Sequence, residues 1–326
     1  MKSEILKLLK MSSDYLSGQQ LCQQFGVSRT AVWKVIRQLE EEGYKIEAVR
    51  NKGYRLIEEA DVITRAELQS MFCTRWIGNR LEYFDEVDST NIRARKLAEE
   101  GAPHGTLVVA DSQTAGKGRR GRSWTSPKGF GIWMSLVLRP PIRPVEASML
   151  TLVAGMAVVK GIRRTTDLNA MIKWPNDVVL SGKKICGILT EMSTEEENIR
   201  YVITGIGINV NMCSFPDEIG EKATSLKKEL GKEVKRSDVI AAVAEAFEEY
   251  YEIFLRTCDM SGLIDEYHKA LVNLEQQVTV LKPQDRYQGK ALGIDCEGSL
   301  LVEREDGVVE AVISGEVSVR GIYGYV

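Results

Sequence analysis

Histidine is nearly missing from this 326-residue sequence, with His104 and His268 the only two. That scarcity all but excludes a histidine-rich metal site, so no metal-ligand set is assigned and both residues are expected to be structural. The six cysteines (Cys22, Cys73, Cys186, Cys213, Cys258 and Cys296) form no CxxC pair, which argues against a zinc knuckle and a disulfide framework. Reduced and mostly buried thiols are expected. No run of about 18 consecutive apolar residues occurs. The N-terminus MKSEILKLLKMSS carries charges inside its apolar pattern, unlike a signal peptide. These absences predict a cytoplasmic protein with no membrane partner, whose chemistry rests on side chains other than histidine and cysteine.

What is present is enough apolar material, 44% of the residues, to fill two or three domain cores. The net charge of −3 is unevenly spread, yet residues 1–60 hold only ten Lys/Arg against eight Asp/Glu. So small a margin says nothing about nucleic acid, and the placement of the cations decides. Ile5, Leu8 and Leu9 recur at helical spacing. Ser17 can cap a second helix that buries Leu21 and Phe25 and stops at Gly26. Ser28 can cap a third, with Val32, Val35, Ile36 and Leu39 as its apolar stripe. Tyr44–Val49 and Tyr54–Ile57 then alternate like strands around the turn Arg50-Asn51-Lys52-Gly53. The pattern is that of a winged helix-turn-helix. Arg29, Thr30, Lys34 and Arg37 would meet a DNA groove, and Arg50 and Lys52 at the wing tip would meet phosphates. The competing reading is a three-helix protein-interaction module with solvated cations. Trp33, beside the apolar stripe, is expected to be partly core.

From residue 63 onward, strand-like runs (106–110, 131–138, 185–191) alternate with helical ones (146–164), which predicts a mixed α/β domain. Its most informative stretch is QTAGKGRRGRSW. Gly116, Gly118 and Gly121 permit positive φ and close approach to a ligand, and Lys117, Arg119, Arg120 and Arg122 crowd four cations into the same loop. Such a loop wants an anion, either a phosphate or a nucleic-acid backbone. It is neither a Walker P-loop nor a dinucleotide fingerprint. Asp88-Ser89-Thr90-Asn91 precedes a helical run and offers neutral polar groups suited to an uncharged ligand head, or simply caps the helix. KWPND at 173–177 reads as a turn, and the residues from Lys183 to Leu189 as a hairpin arm and buried strand. GIGINVN at 205–211 is a strand on which something flat can lie, or a plain core strand containing glycine.

Taken in order, DSTN, GKGRRGRSW, KWPND, GKKICGIL and GIGINVN resemble the signature of the biotin protein ligases. With the winged head, the chain is similar to the bifunctional biotin ligase and biotin operon repressor family over nearly its whole length. Where that family usually reads GRGRRGR, this chain has Lys117, which keeps the charge and loses the bidentate fork. The resemblance implies a two-step reaction through biotinyl-5′-AMP, with biotin and ATP as substrates, Mg²⁺ as the accompanying ion and no tightly bound prosthetic group. Carried over by position, Ser89, Thr90, Asn91 and Gln113 hold biotin. Lys117, Gly118 and Arg119 hold its carboxylate and the phosphate, and Lys184 the reacting carbonyl. Arg119 and Lys184 are thus the catalytic pair, and Arg122, Asp177 and Asn209 lie toward ATP. Trp124 either covers the adenine or packs. Implied partners are biotin carboxyl carrier domains, palindromic operator DNA and a second copy of the chain once biotinyl-AMP is bound. A regulator that senses a carboxylate without turnover and a lipoate-type ligase are the alternatives.

After residue 271, short runs at 277–281, 288–293, 299–303, 308–313 and 317–321, punctuated by glycine, predict a small SH3-like β-barrel. The expected fold is therefore a winged helix-turn-helix (1–62), an α/β domain built on a mixed sheet (63–271) and the small barrel (272–326).

Overall fold

The structure, a computed structural model, describes residues 1–58, 61–282 and 286–313, together with the backbone of 318–321. It divides into two units: Met1–Cys73 with Lys235–Ala241, and the remainder of the chain. In the first, α1 (Lys2–Met11), α2 (Gly18–Phe25) and α3 (Arg29–Glu41) precede the antiparallel pair β1 (Lys45–Val49) and β2 (Gly53–Glu58). The local signals act as read. Ser17 caps α2 in a capping box with Gln20, Gly26 ends it at φ 63°, and the Ser28 hydroxyl accepts from Ala31 N at the start of α3. Val32, Val35, Ile36 and Leu39 are buried with Ile5, Leu6, Leu9 and Leu21 in one core. Trp33 is not part of it: the side chain stands 51% exposed, because its place on α3 falls outside the buried stripe.

The unit extends past the expected boundary at residue 62. Helix α4 (Arg65–Met71) belongs to it through Glu67, which is fully buried. Glu67 bonds Lys10 Nζ at 2.5 Å and Ser237 Oγ at 3.0 Å, accepts from the Tyr44 hydroxyl and pairs with Lys235 Nζ at 3.2 Å. Nearby, Arg236 Nε meets Asp61 Oδ2 at 2.7 Å.

The second unit is built on a seven-stranded sheet. Its strands are β3 (Leu81–Val87), β4 (Thr106–Gln113), β5 (Gly131–Leu138), β6 (Met171–Lys173), β7 (Asp177–Leu180), β8 (Lys183–Glu195) and β9 (Asn198–Asn209), in the order β3-β4-β5-β9-β8-β7-β6. Only β3 and β4 run parallel. Helix α5 (Thr90–Glu99) buries Ala94, Leu97 and Ala98 against Val108, Val137, Tyr201 and Ile203 on one face. Helix α6 (Leu150–Thr166) covers the other, its Gly155 leaving room for Ile172 and Ile188. The segment Pro144–Thr166 is long and apolar enough to cross a membrane by composition, but it is mostly buried in this core. Shorter helices α7 (Asp217–Gly220) and α8 (Leu226–Leu230) lead to α9 (Arg236–Thr257) and α10 (Ile264–Ala270).

The tail follows as five antiparallel strands: β10 (Gln277–Leu281), β11 (Arg286–Ile294), β12 (Leu300–Arg304), β13 (Val309–Val312) and β14 (Ser318–Gly321), ordered β13-β12-β11-β10-β14. The Trp174 indole donates to the Gly298 carbonyl at 3.1 Å, fixing the KWPND turn to this sheet. Both histidines are structural. His104 lies between Trp76 and Tyr251, where burial and the charge of Arg139 lower its pKa, and His268 Nε2 accepts from Ile294 N at 2.8 Å. The thiols depart from expectation: only Cys186 is buried, while Cys73, Cys213 and Cys296 are exposed. Each of these three lies in a connection between elements, where few side chains cover it.

Candidate active site

Strand register explains where a ligand can enter. Ser135 pairs with Gly205, which pairs with Leu189, and in the adjacent row Trp133 pairs with Gly207 and Gly207 with Gly187. Side chains of paired residues share a face, so the glycines hollow the sheet beneath the N-terminus of α5. The hollow is tightly occupied. A Cβ on Gly205 would fall 2.0 Å from Asn91 Oδ1, and on Gly207 or Gly187 it would fall 2.8 Å from the Trp124 ring. The flat group lying on GIGINVN is therefore the chain's own Trp124.

One end of the resulting cleft is neutral and polar. Gln113 Oε1 accepts from Thr90 N at 2.8 Å and Thr90 Oγ1 at 3.1 Å, and its amide donates to Ser126 Oγ at 2.8 Å. Ser135 Oγ lies 2.8 Å from Thr90 Oγ1 and 2.7 Å from Asn91 Oδ1, and Asn91 Nδ2 donates to Glu191 at 2.7 Å. Ser89 takes the N-cap position of α5, but its buried hydroxyl makes no capping bond. The other end is cationic. Arg119 Nη1 donates to Asn176 Oδ1 at 2.8 Å, and burial, together with the neighbouring charge of Arg120, lowers its pKa. Lys184 Nζ sits 2.5 Å from Asp177 Oδ1 and 5.2 Å from the centre of the Trp124 ring.

Ser89, Thr90, Asn91, Gln113, Lys117, Gly118, Arg119 and Lys184 all line this one cleft, joined by Trp124 and Asn176. Asp177 reaches it through Lys184. Arg122 and Asn209 are not brought to it: Arg122 is exposed on the loop, and the buried Asn209 amide donates to the Thr224 carbonyl at 3.2 Å. Sequence reasoning missed Ser135, Asn176 and Glu191. The lone hydroxyl in the eight-residue run GIWMSLVL was a usable signal for Ser135, since a buried hydroxyl needs a partner; Glu191 had none. The cleft volume, about 50 Å³, is far below the roughly 300–1,000 Å³ of ordinary ligand pockets. Trp124, lying on its glycine floor, takes up part of the space.

In the head, Arg29, Thr30, Lys34 and Arg37 are exposed along α3, and Arg50 and Lys52 are exposed at the hairpin tip, where Asn51 (φ 65°) and Gly53 (φ 121°) make the turn. The six residues expected to meet DNA therefore all reach solvent.

Comparison with known proteins agrees with this division. Residues 83–209 match the biotin/lipoate A/B protein ligase family, residues 2–55 an HTH domain, and residues 274–320 the biotin protein ligase C-terminal domain. The chain is 43% identical over 94% of its length to the bifunctional ligase/repressor BirA of Bacillus spizizenii, covering 95% of that protein. It is 28% identical, over 97% of both chains, to the protein of the same name from Escherichia coli. Among solved structures, the biotin protein ligase from Aquifex aeolicus in complex with biotin and ATP is similar at a TM-score of 0.66 and 34% identity, covering 74% of this chain and 99% of that one. By its identity and coverage against these relatives, the chain belongs to the biotin protein ligase family, among the bifunctional ligase/repressors.

Proposed function

We infer that the chain is an ATP-dependent biotin protein ligase that also represses transcription through its winged head. The observation that carries this reading is the polarity of a single cleft: neutral donors and acceptors at one end, and Lys117, Arg119 and Lys184 at the other. An uncharged ring system with a carboxylate tail matches that gradient. In the first step the biotin carboxylate oxygen bonds to the α-phosphorus of ATP and the bond to pyrophosphate breaks. In the second, the amine of a carrier lysine bonds to the acyl carbon, AMP leaves and the amine loses its proton. Joining two anions requires charge neutralisation at the reacting oxygens, which fixed cations supply without a protein nucleophile.

Ser89, Thr90, Asn91 and Gln113 are assigned to biotin. Lys117, Gly118 and Arg119 are assigned to its carboxylate and the phosphate, and Lys184 to the reacting carbonyl. Asp177 is assigned to the ATP side, supported by its contact with Lys184. Arg122 and Asn209 are assigned there by resemblance alone. Among the described residues no group of three or more His, Cys, Asp or Glu could hold a metal. Mg²⁺ is proposed to arrive with the nucleotide, as an ion commonly held by one or two carboxylates plus phosphates; it would offset charge on the triphosphate, near Asp177. Biotin carboxyl carrier domains are the proposed acceptors. The proposed DNA partner is a palindromic operator, read by a homodimer that forms when biotinyl-AMP is bound.

Biotin-dependent exchange of labelled pyrophosphate into ATP, compared with lipoate and octanoate, tests the ligase reading. Exchange with biotin is expected. Its absence with all three acids would leave a sensor without turnover, and preference for lipoate would assign the other branch of the family. Replacing Arg119 with Gly is expected to leave adenylate formation measurable while loosening the hold on biotinyl-AMP, because a multiply bonded cation is lost. Retention of the intermediate as tight as in the parent would remove the loop from phosphate binding.

A further inference from the structure

The exposed indole on α3 has no role in the fold. The head's core closes without Trp33, around Val32, Val35, Ile36 and Leu39 on a different arc of the helix. A large aromatic left 51% exposed loses favourable burial for no gain within the unit. Its neighbours give its context. Residues four apart share a helix face, so Arg29, Trp33 and Arg37 form one row, with Thr30 and Lys34 alongside. The Arg37 guanidinium lies 5.5 Å from the Trp33 ring centre and 3.6 Å from Glu40, so both side chains are braced along the helix.

We propose that Trp33 is a specificity-determining residue that reads the methyl group of a thymine in the operator's major groove, a role that rests on the head's inferred DNA binding. The commitment to duplex DNA comes from charge: the exposed arc presents Arg29, Lys34 and Arg37, and the hairpin tip presents Arg50 and Lys52. Those cations satisfy phosphates and base acceptors. The indole has one N–H donor and an otherwise apolar edge, and the apolar feature offered by the major-groove edge of a base pair is the thymine C5 methyl. Phosphate contacts position the helix without reading sequence, so a wide apolar side chain in that row adds discrimination that the cations do not.

The test uses the full-length protein with biotin and ATP on a duplex operator selected from random DNA, in which each thymine is replaced in turn by uracil, deleting only its methyl group. For the parent protein, one position per half-site is expected to lose affinity roughly fourfold per half-site, the equivalent of one buried methyl. In Trp33→Ala that position should become insensitive, while the other thymines keep their parental response. Trp33→Phe should restore part of the sensitivity. Circular dichroism and biotin-dependent pyrophosphate exchange, both expected unchanged, show that the variant is folded. The inference is overturned if Trp33→Ala binds every duplex like the parent, or if it weakens all of them uniformly while keeping the same thymine dependence. Failure of the parent to select any duplex would instead remove the DNA-binding reading itself.

Discussion

At the scale of single residues, the cleft depends on an absence of atoms. Gly205 has no room for a methyl group, because one would press into the Asn91 amide oxygen that Ser135, paired beside Gly205, also bonds. Gly205→Ala is therefore expected to cost about 1–3 kcal/mol in local repacking and to weaken biotin binding about tenfold or more. Calorimetric titration with biotin checks this, and unchanged affinity would show that the polar end of the cleft lies elsewhere. Lys184 acts through charge instead of shape. Lys184→Ala should depress pyrophosphate exchange on the order of 100-fold or more, while operator binding by protein preloaded with biotinyl-AMP falls much less. Exchange at the parental rate would take Lys184 out of the reaction. The cations and the Gln113 and Asn91 amides were legible in the sequence because chemistry of that kind clusters in a loop and at a helix start. The seat of Trp124 was not legible: it follows from Gly187 and Gly207 meeting in register, and pairing register is not written along one strand.

At the scale of elements, the helix caps and the alternation of β1 and β2 were readable because each depends on residues only a few positions apart. Membership of α4 in the head was hidden, since it is fixed by contacts of Glu67 with residues far away along the chain, Lys10 and Ser237 among them. Burial pushes the Glu67 carboxyl up, but the bonds from Lys10 and Tyr44 and the charges of Lys10 and Lys235 outweigh it, so its pKa is lowered from the ordinary 4.5. A carboxyl whose pKa is lower in the folded state stabilises above its unfolded pKa and loses that contribution as pH falls through the folded value. The amide protection of residues 1–58, corrected for intrinsic exchange, should therefore fall as pH drops below about 4.5. Glu67→Ala removes the buried carboxylate that Lys10, Lys235, Ser237 and the Tyr44 hydroxyl share. Its expected cost is about 3–5 kcal/mol, with the acid sensitivity reduced, and a variant as protected as the parent would refute this account of α4. Deleting residues 1–60 should abolish operator binding and preserve adenylation, with lower thermal stability because α4 loses those partners. A folded truncate without any adenylation would contradict an independent catalytic unit.

For the whole molecule, the two proposed activities meet in the number of heads on one operator. On the proposed reading, a single winged head covers one half-site, so tight binding to a palindrome would need two, which would make dimerisation the control point. The loop at 116–122 can supply the link. In its present form it holds itself together by Gly118 N to Arg122 O at 2.7 Å and Trp124 N to Gly116 O at 2.8 Å. Lys117, Arg120 and Arg122 are exposed on it, and Arg120 is in the left-handed region at φ 57°. Under the same proposal, a phosphate drawn into the cleft would give Lys117 and Arg119 an anion in common, and any shift of Trp124 from Gly187 and Gly207 would change the loop's anchorage at the same time. Fixing backbone costs about 1–2 kcal/mol per residue. Over such a loop, that is more than the few kcal/mol by which one site commonly alters another. A ligand that met this cost in advance would make the proposed self-association cheaper, and by reciprocity a dimer would hold the adenylate more tightly. On the proposed reading, unmodified carrier protein would discharge the adenylate and reverse the shift. Sedimentation with and without biotin plus ATP should show the dimer favoured by ligand, and operator affinity should rise in parallel. Added acceptor carrier should lower both, and Arg119→Gly should need more ligand to reach the same dimer fraction. Equal self-association and equal operator affinity with and without ligand would leave the two activities side by side on one chain, uncoupled.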